Sequence, residues 1–226
     1  MPAPSKPRSK TGTPRRTRVF RERVDAVLRE LHRLYPEVDC ALTHRNPYEL
    51  LTATILSAQC TDETVNKVTP ALFEAFPLPA DLARASQASV EKLIYSTGFY
   101  RNKAKNIRGM ARRVVEEFDG EVPRTMDELL SLPGVARKTA NVLLGTAFGL
   151  PEGIVVDTHV GRISRRLDLC RQKDPVKVER ELCELVPRED WIWFSHALIW
   201  HGRGVCDARR PRCEECTLRE LCPGRM

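Results

Sequence analysis

The sequence is poor in aromatic residues and has no long apolar run. Phe, Trp and Tyr together make up 6% of its 226 residues, and no stretch approaches the roughly 20 consecutive apolar residues that a membrane-spanning helix needs. The first residues are basic and proline-rich and lack the hydrophobic segment of a secretory signal. We therefore expect an intracellular globular protein with no membrane partner.

Acidic residues are outnumbered by basic ones. The chain has 37 Lys and Arg against 30 Asp and Glu, which gives a formal net charge of +7 and a pI near 9.1. An excess of positive charge favours an anionic partner such as nucleic acid, but a basic solvated surface produces the same composition. Charge alone leaves both interpretations open.

The spacing of the apolar residues predicts helices. Residues 1–17 carry Pro, Ser, Thr, Gly and basic residues without an apolar anchor, so we expect a disordered basic tail. From Val19 to Leu34 apolar residues recur with a helical period, and most later segments do the same. Asn46 and Asp157 each precede such a segment and are typical N-cap residues. The one β-like run, "GIVVD", is too short to define a sheet, so we predict an all-α protein.

Four of the eight cysteines crowd into the C-terminal run "CDARRPRCEECTLRELC". Four thiolates in a polar loop suit a metal centre. Zinc usually takes two closely spaced pairs of ligands, whereas here only one such pair exists, so the spacing favours an iron–sulfur cluster over zinc. Such a centre could fold a basic DNA-facing loop or transfer electrons. The candidate ligands are Cys206, Cys213, Cys216 and Cys222.

The segment "LPGVARKTANVLL" places a tight turn between two helical patterns. The turn at Pro133 and Gly134 exposes backbone N–H groups at the start of the second helix, and such an N-terminus is a ready anion site. An ordinary helix connection would have the same pattern. Lys138, in the first turn of that helix, is a candidate phosphate contact or nucleophile.

Five segments together resemble the endonuclease III family of DNA glycosylases. "LPGVARKTANVLL" resembles its helix–hairpin–helix motif, and "VVDTHVGRISRRL" and the C-x6-C-x2-C-x5-C ending resemble later parts of the same family in the same order. "LLTATILSAQCTDETVNK" and "STGFYRNKAKNI" are similar to its DNA-facing segments. The resemblance covers most of residues 20–222.

The resemblance implies an all-α fold with two lobes. A six-helix barrel would span residues 45–150 and contain the helix–hairpin–helix at about residues 125–148. Residues 18–44 and 151–226 would form a discontinuous domain that holds a 4Fe–4S cluster in a loop at residues 206–222. We also expect a monomer in the cytoplasm, associated with the nucleoid if the protein is bacterial.

The implied activity is that of a bifunctional DNA glycosylase and AP lyase acting on oxidised pyrimidines in damaged double-stranded DNA. Lys138 would attack the C1′ atom of the damaged nucleotide, and Asp157 would help to deprotonate the amine or stabilise positive charge on the sugar. Two alternatives are a mismatch-type glycosylase of the same superfamily and a non-catalytic iron–sulfur protein that binds DNA or carries electrons.

The resemblance also implies a set of DNA contacts. One side chain would fill the space left by a flipped base, an aromatic ring would wedge between base steps, and the hairpin would hold a phosphate. A histidine would contact a phosphate or orient the site. The residues at these positions are Gln59, Phe99, Gly134, Ala136, Arg137, Thr139 and His159.

Two features depart from the family pattern. Ala136 stands where the family hairpin usually has a second glycine, and alanine would be strained if that position required positive φ. One additional residue also lies before Asp157, around Glu152 and Gly153, where it could alter the rim of the substrate cleft.

Overall fold

The computed structural model describes residues 17–224, so the predicted tail lies outside the described residues except for Thr17. Within residues 17–224 the regular elements are all helical, which confirms the all-α prediction, and none of the helices is long and apolar enough to cross a membrane. The α-helices are α1 (Arg18–Leu34), α2 (Pro47–Leu56), α3 (Asp62–Ala75), α4 (Pro79–Arg84), α5 (Gln87–Ile94), α6 (Tyr100–Glu117), α7 (Met126–Ser131), α8 (Arg137–Phe148), α9 (Thr158–Arg166), α10 (Pro175–Cys183) and α11 (Trp191–Gly204). Short 3-10 turns lie at Tyr95–Thr97, Arg188–Asp190, Cys213–Glu215 and Arg219–Leu221.

Local sequence signals set many of the helix ends. The side chain of Asn46 accepts a hydrogen bond from the backbone amide of Glu49 at 2.9 Å, as expected for an N-cap. Gly149 ends α8 in the left-handed conformation at φ 64°, which glycine adopts without strain. The run at residues 153–157 has no regular secondary structure and is not paired as a strand within the described chain.

Helix α4 has no counterpart in the sequence prediction. It is six residues long, which is too short to display a helical period. It begins at Pro79, and the carboxylate of Asp81 accepts a hydrogen bond from the backbone amide of Leu78 at 3.1 Å. Proline at the first position and an acidic residue at the third were the available signals.

The described residues form two separate hydrophobic cores. The first is built from α2–α8 and is centred on buried residues such as Leu51, Ile107 and Leu143. The second joins α1 to α9–α11 and includes Leu31 and Phe194. We call these the first lobe and the second lobe. The chain enters the first lobe after α1 and returns to the second before α9, and residues of both lobes line a shared cleft.

Candidate active site

Lys138 is the second residue of α8 and is exposed. The turn before it depends on Gly134, which has φ +79°. A Cβ atom at Gly134 would lie 2.9 Å from the Cβ atom of Asn106, so a side chain is excluded by both conformation and space. Ala136, the N-cap of α8, has φ −107° and ψ 169°, which is extended backbone that alanine adopts without strain. The departure from the family glycine therefore does not distort the turn.

The start of α8 keeps its backbone donors free of side-chain capping. Ala136 cannot accept a hydrogen bond through its side chain, and within the described chain no side chain caps this helix. The first N–H groups of a helix have no partner inside it, and they add to the positive end of the helix dipole. Gly134 and Ala136 are both exposed, so an anion can reach this end of the helix.

Asp157 lies across the cleft from Lys138 as the N-cap of α9. Its Oδ1 atom accepts a hydrogen bond from the backbone amide of Val160 at 2.8 Å. Lys138 and Asp157 line one cleft of about 650 Å³ that is open to solvent. Thr54 and Val142 line it from the first lobe. The sequence prediction placed both polar residues in one site, and they do line the same cleft.

Several residues that sequence reasoning did not assign also line this cleft. Arg203 of α11 forms an ion pair with Asp62 of α3, with 2.5 Å between Nη2 and Oδ2, and so connects the two lobes at the cleft wall. Trp200 leaves 48% of its surface exposed there, and its indole N–H donates to the carbonyl of Asp39 at 3.4 Å. These residues come together only because segments distant in the sequence pack against each other. The spacing of residues within any one segment therefore could not predict their shared position in the cleft.

His196, which the sequence analysis assigned to no site, is also part of this cleft wall. Burial lowers its pKa below the ordinary value, so the imidazole is kept neutral near pH 7. The neighbouring Ser195 fixes the backbone before Asp157, because its hydroxyl oxygen accepts from the Val155 amide at 3.0 Å. Helix α11 therefore supports the strand-like segment that delivers Asp157 to the cleft.

The other predicted site residues are not among those that line this cleft. Gln59 and Phe99 are exposed and both have left-handed backbones, with φ 53° and 47°. His159 points its Nδ1 atom towards the guanidinium of Arg162 at 3.2 Å, and Thr139 is partly exposed in the first turn of α8.

Arg137 is held by an acidic partner from the second lobe. Its Nη2 atom lies 2.9 Å from Oε1 of Glu179, and Nε donates to the same carboxylate. This hydrogen bonding raises the pKa of Arg137. The positive charge next to Lys138 is therefore paired, which reduces the assistance that Arg137 can give to a neutral amine.

The four C-terminal cysteines surround one space of about 430 Å³, partly open to solvent. Burial raises the pKa values of the Cys216 and Cys222 thiols, and the nearby cysteines raise them further. Among the described residues no three His, Cys, Asp or Glu side chains are placed to hold a single metal ion. The four cysteines nevertheless line one cavity, as ligands of a shared metal centre would.

Helix α9 ties the cysteine loop to the cleft. Arg166 donates to Sγ of Cys206 at 3.1 Å and to the carbonyl of Asp207 at 2.7 Å. Arg162 donates to the carbonyl of Cys206 at 2.9 Å. Asp157 caps the start of this same helix. One helix therefore carries Asp157 at its N-terminal end and contacts the cysteine loop through Arg162 and Arg166.

The comparisons with known proteins agree with this architecture. A family model described as "HhH-GPD superfamily base excision DNA repair protein" matches residues 52–188. The endonuclease III of Synechocystis is 57% identical over 90% of this chain and 93% of its own length. The endonuclease III of Bacillus subtilis is 48% identical over 89% and 92%, and that of Escherichia coli is 42% identical over 87% and 92%.

Solved structures of endonuclease III are also similar to this chain. An endonuclease III in a non-covalent DNA complex superposes with a TM-score of 0.86 and 46% identity over 90% of this chain and 95% of that one. A trapped covalent endonuclease III–DNA intermediate matches with the same TM-score and identity, over 90% and 96%. The chain is a member of the helix–hairpin–helix superfamily of base-excision DNA repair proteins. Within it, the chain belongs to the endonuclease III family.

Proposed function

We propose that this protein is a bifunctional DNA glycosylase and AP lyase that removes oxidised pyrimidines from duplex DNA. The observation that carries the proposal is the common cleft of Lys138 and Asp157, an amine and a carboxylate on opposite lobes. Two relatives of the same fold and 46% identity are described in complex with DNA, one of them as a trapped covalent intermediate. The basic net charge agrees with a DNA partner.

The chemistry begins when the damaged nucleotide leaves the stacked duplex and enters the cleft. The lone pair of the Lys138 amine attacks C1′, and the bond from C1′ to the base breaks with its electrons leaving on the base. Ring opening gives a Schiff base between the amine nitrogen and C1′. Loss of a proton from C2′ then expels the 3′ phosphate by β-elimination, and water finally releases the enzyme.

Asp157 has two roles in this scheme. Its carboxylate can accept a proton from the Lys138 ammonium, because only the neutral amine is a nucleophile. It also stabilises the positive charge that develops on the sugar as the base departs. Its hydrogen bond to the Val160 amide uses Oδ1 and fixes the carboxylate at the helix start.

The hairpin supplies the grip on DNA. A phosphate at the N-terminus of α8 would accept from backbone amides near Gly134 and Ala136, without reading base identity. Thr139 and His159 are the proposed further polar contacts. Gln59 and Phe99 would enter the duplex at the flipped nucleotide, one filling its place and the other wedging between base steps.

We further propose that Cys206, Cys213, Cys216 and Cys222 bind a 4Fe–4S cluster. The position of all four cysteines around one cavity supports a shared metal centre, and their unequal spacing along the chain favours a cluster over zinc. Once bound, the cluster would cross-link the C-terminal loop and could also exchange electrons. The proposed cluster domain would comprise residues 18–44 and 151–226, and residues 45–150 would form the barrel. A cytoplasmic monomer fits this function.

Strand cleavage across a panel of single-lesion duplexes tests the proposed activity. The panel would contain an oxidised thymine, a mismatched adenine, a mismatched thymine and an undamaged control. We expect cleavage at oxidised thymine with a 3′ unsaturated aldehyde end, and loss of that product in Lys138→Ala. Base release at a mismatch without strand cleavage would instead support the mismatch-type alternative. DNA binding without any base release would support the non-catalytic one.

A further inference from the structure

Lys103 is a buried lysine for which the proposed chemistry has no use. It is the fourth residue of α6, only 4% of its surface is exposed, and its Nζ atom donates to the carbonyl oxygen of Thr97 at 2.7 Å. Burial lowers its pKa. Among the residues that the structure describes, no carboxylate forms an ion pair with it, and burying an ammonium without a counter-ion costs free energy.

Lys103 holds both ends of a short backbone segment. Its side chain binds the carbonyl of Thr97, and its backbone amide donates to the carbonyl of Phe99 at 3.1 Å. Gly98 lies between these two carbonyls. One residue therefore fixes the peptide groups on both sides of the turn that leads into α6. We call residues 97–99 the wedge turn.

The wedge turn has a backbone that needs such support. Gly98 has φ 68° and Phe99 has φ 47°, so two consecutive residues are left-handed. A phenylalanine in this region is strained, because its Cβ atom crowds the backbone. Packing does not offset that strain, since 67% of the Phe99 surface is exposed. Strain that persists in an exposed residue is held by its surroundings, and it is often found at functional sites.

A second residue with positive φ precedes a thiol that influences the same ammonium. Gln59 has φ 53°, and the thiol of the next residue, Cys60, raises the pKa of Lys103 against the larger lowering by burial. Thr97 ends a 3-10 turn that packs on α3, the helix that follows Cys60. The Lys103 ammonium is therefore bound two residues before Phe99, in a turn that packs on the helix following Gln59 and Cys60.

We propose that Lys103 is a positioning residue that preorganises the wedge turn, so that the Phe99 ring is already aimed at the duplex before DNA binds. This inference rests on the proposed function. Without the ammonium the turn would sample relaxed conformations, and ordering it would then oppose binding to the lesion. Contact with undamaged DNA, which depends on phosphates, would not require the wedge.

The test is Lys103→Met, which keeps the length of the side chain and removes its charge and hydrogen bond. Lys92→Met is the matched control, because Lys92 is exposed on the neighbouring helix α5 and gives the same change in net charge. A buried charge can often be replaced by an apolar side chain without loss of stability. We therefore expect the melting temperature of Lys103→Met to equal or exceed that of wild type.

The readouts are KM and kcat on a lesion duplex, affinity for undamaged duplex, and fluorescence of 2-aminopurine placed beside the lesion as a signal of unstacking. For Lys103→Met we expect about a tenfold rise in KM, a kcat within about threefold of wild type and a weaker fluorescence rise. Affinity for undamaged duplex should match that of Lys92→Met. In a Phe99→Ala background, Lys103→Met should add no further change, because both substitutions remove the same wedge.

Three results would overturn the inference. The first is an unchanged KM and fluorescence signal in Lys103→Met. The second is equal loss of affinity for damaged and undamaged duplex together with a lower melting temperature, which would indicate a purely structural role. The third is an effect of Lys103→Met that persists in full in the Phe99→Ala background. If wild type itself fails to cleave the lesion duplex, the proposed function has failed instead.

Discussion

Arg137 and Glu179 form a two-pronged ion pair between the lobes, immediately before Lys138. The guanidinium belongs to α8 and the carboxylate to α10, with 2.9 Å between Nη2 and Oε1. The same carboxylate accepts from Nδ2 of Asn141 at 3.0 Å and lies against the backbone of Gly153. One acidic side chain of the second lobe therefore fixes the start of the helix that carries the proposed nucleophile.

Glu179→Ala should destabilise the protein by about 1–3 kcal/mol, because it leaves the half-exposed Arg137 and the buried Asn141 without their acceptor. Urea unfolding measures this directly. Glu152→Ala is the control, since the pair of Glu152 with Arg188 is exposed and 3.9 Å long and should contribute less than about 1 kcal/mol. If both substitutions lowered the free energy of unfolding equally, the ion pair between the lobes would contribute no more to stability than the exposed one.

The substitution Asp157→Asn distinguishes the role of Asp157 as a helix cap from the role of its negative charge. Asparagine caps helices about as well as aspartate, so the free energy of unfolding should change by less than about 0.5 kcal/mol. The glycosylase rate should fall by about 10²- to 10⁴-fold, because the carboxylate is lost as a proton acceptor. Asp174→Asn is the matched control, since Asp174 caps α10 through the amide of Lys177. A fully active Asp157→Asn protein would restrict this residue to a structural role.

Gly134→Ala should lower both the stability of the protein and its affinity for DNA. The new Cβ atom would meet Asn106 at 2.9 Å in a backbone with φ +79°, at a cost of about 1–3 kcal/mol. Thermal unfolding and affinity for an abasic-site analogue report the two effects. Ala136→Gly, by contrast, should not tighten DNA binding, because position 136 is already extended. A clear gain in affinity from that substitution would contradict this geometry.

The cysteine site predicts a coloured protein. Purified material should absorb visible light and contain about four iron atoms per chain, as a 4Fe–4S cluster requires. Cys216→Ser should lose iron and part of the DNA affinity. Cys183→Ser should retain both, since Cys183 lies outside the cavity. A colourless protein that contains stoichiometric zinc would refute the cluster assignment.

The sequence predicted features that depend on neighbouring residues. The caps at Asn46 and Asp157 are each decided within about four residues, so their signals are local. The ion pair between Asp62 and Arg203 joins residues that are 141 positions apart in the sequence. Neither segment has a residue pattern that predicts the pair.

The sequence also did not predict which individual polar side chains are buried or paired. Lys103 lies in the polar segment "YRNKAK", which is typical of the solvated face of a helix. In the structure it is buried, and its ammonium donates to the carbonyl of Thr97 in the wedge turn. The pairing of Arg137 with Glu179 was missed for the same reason, because α8 and α10 approach only when both lobes are folded. Cys170 is buried, whereas Cys40, Cys60 and Cys183 are partly exposed.

Borohydride trapping on a duplex with one oxidised thymine tests most directly whether Lys138 is the nucleophile. Borohydride reduces the Schiff base between the lysine nitrogen and C1′ to a stable amine, so protein and DNA migrate together. Wild type and Lys173→Ala, which removes an exposed lysine remote in sequence from α8, should both give the adduct, and Lys138→Ala should give none while still binding the duplex. An adduct of undiminished yield from Lys138→Ala would contradict the account.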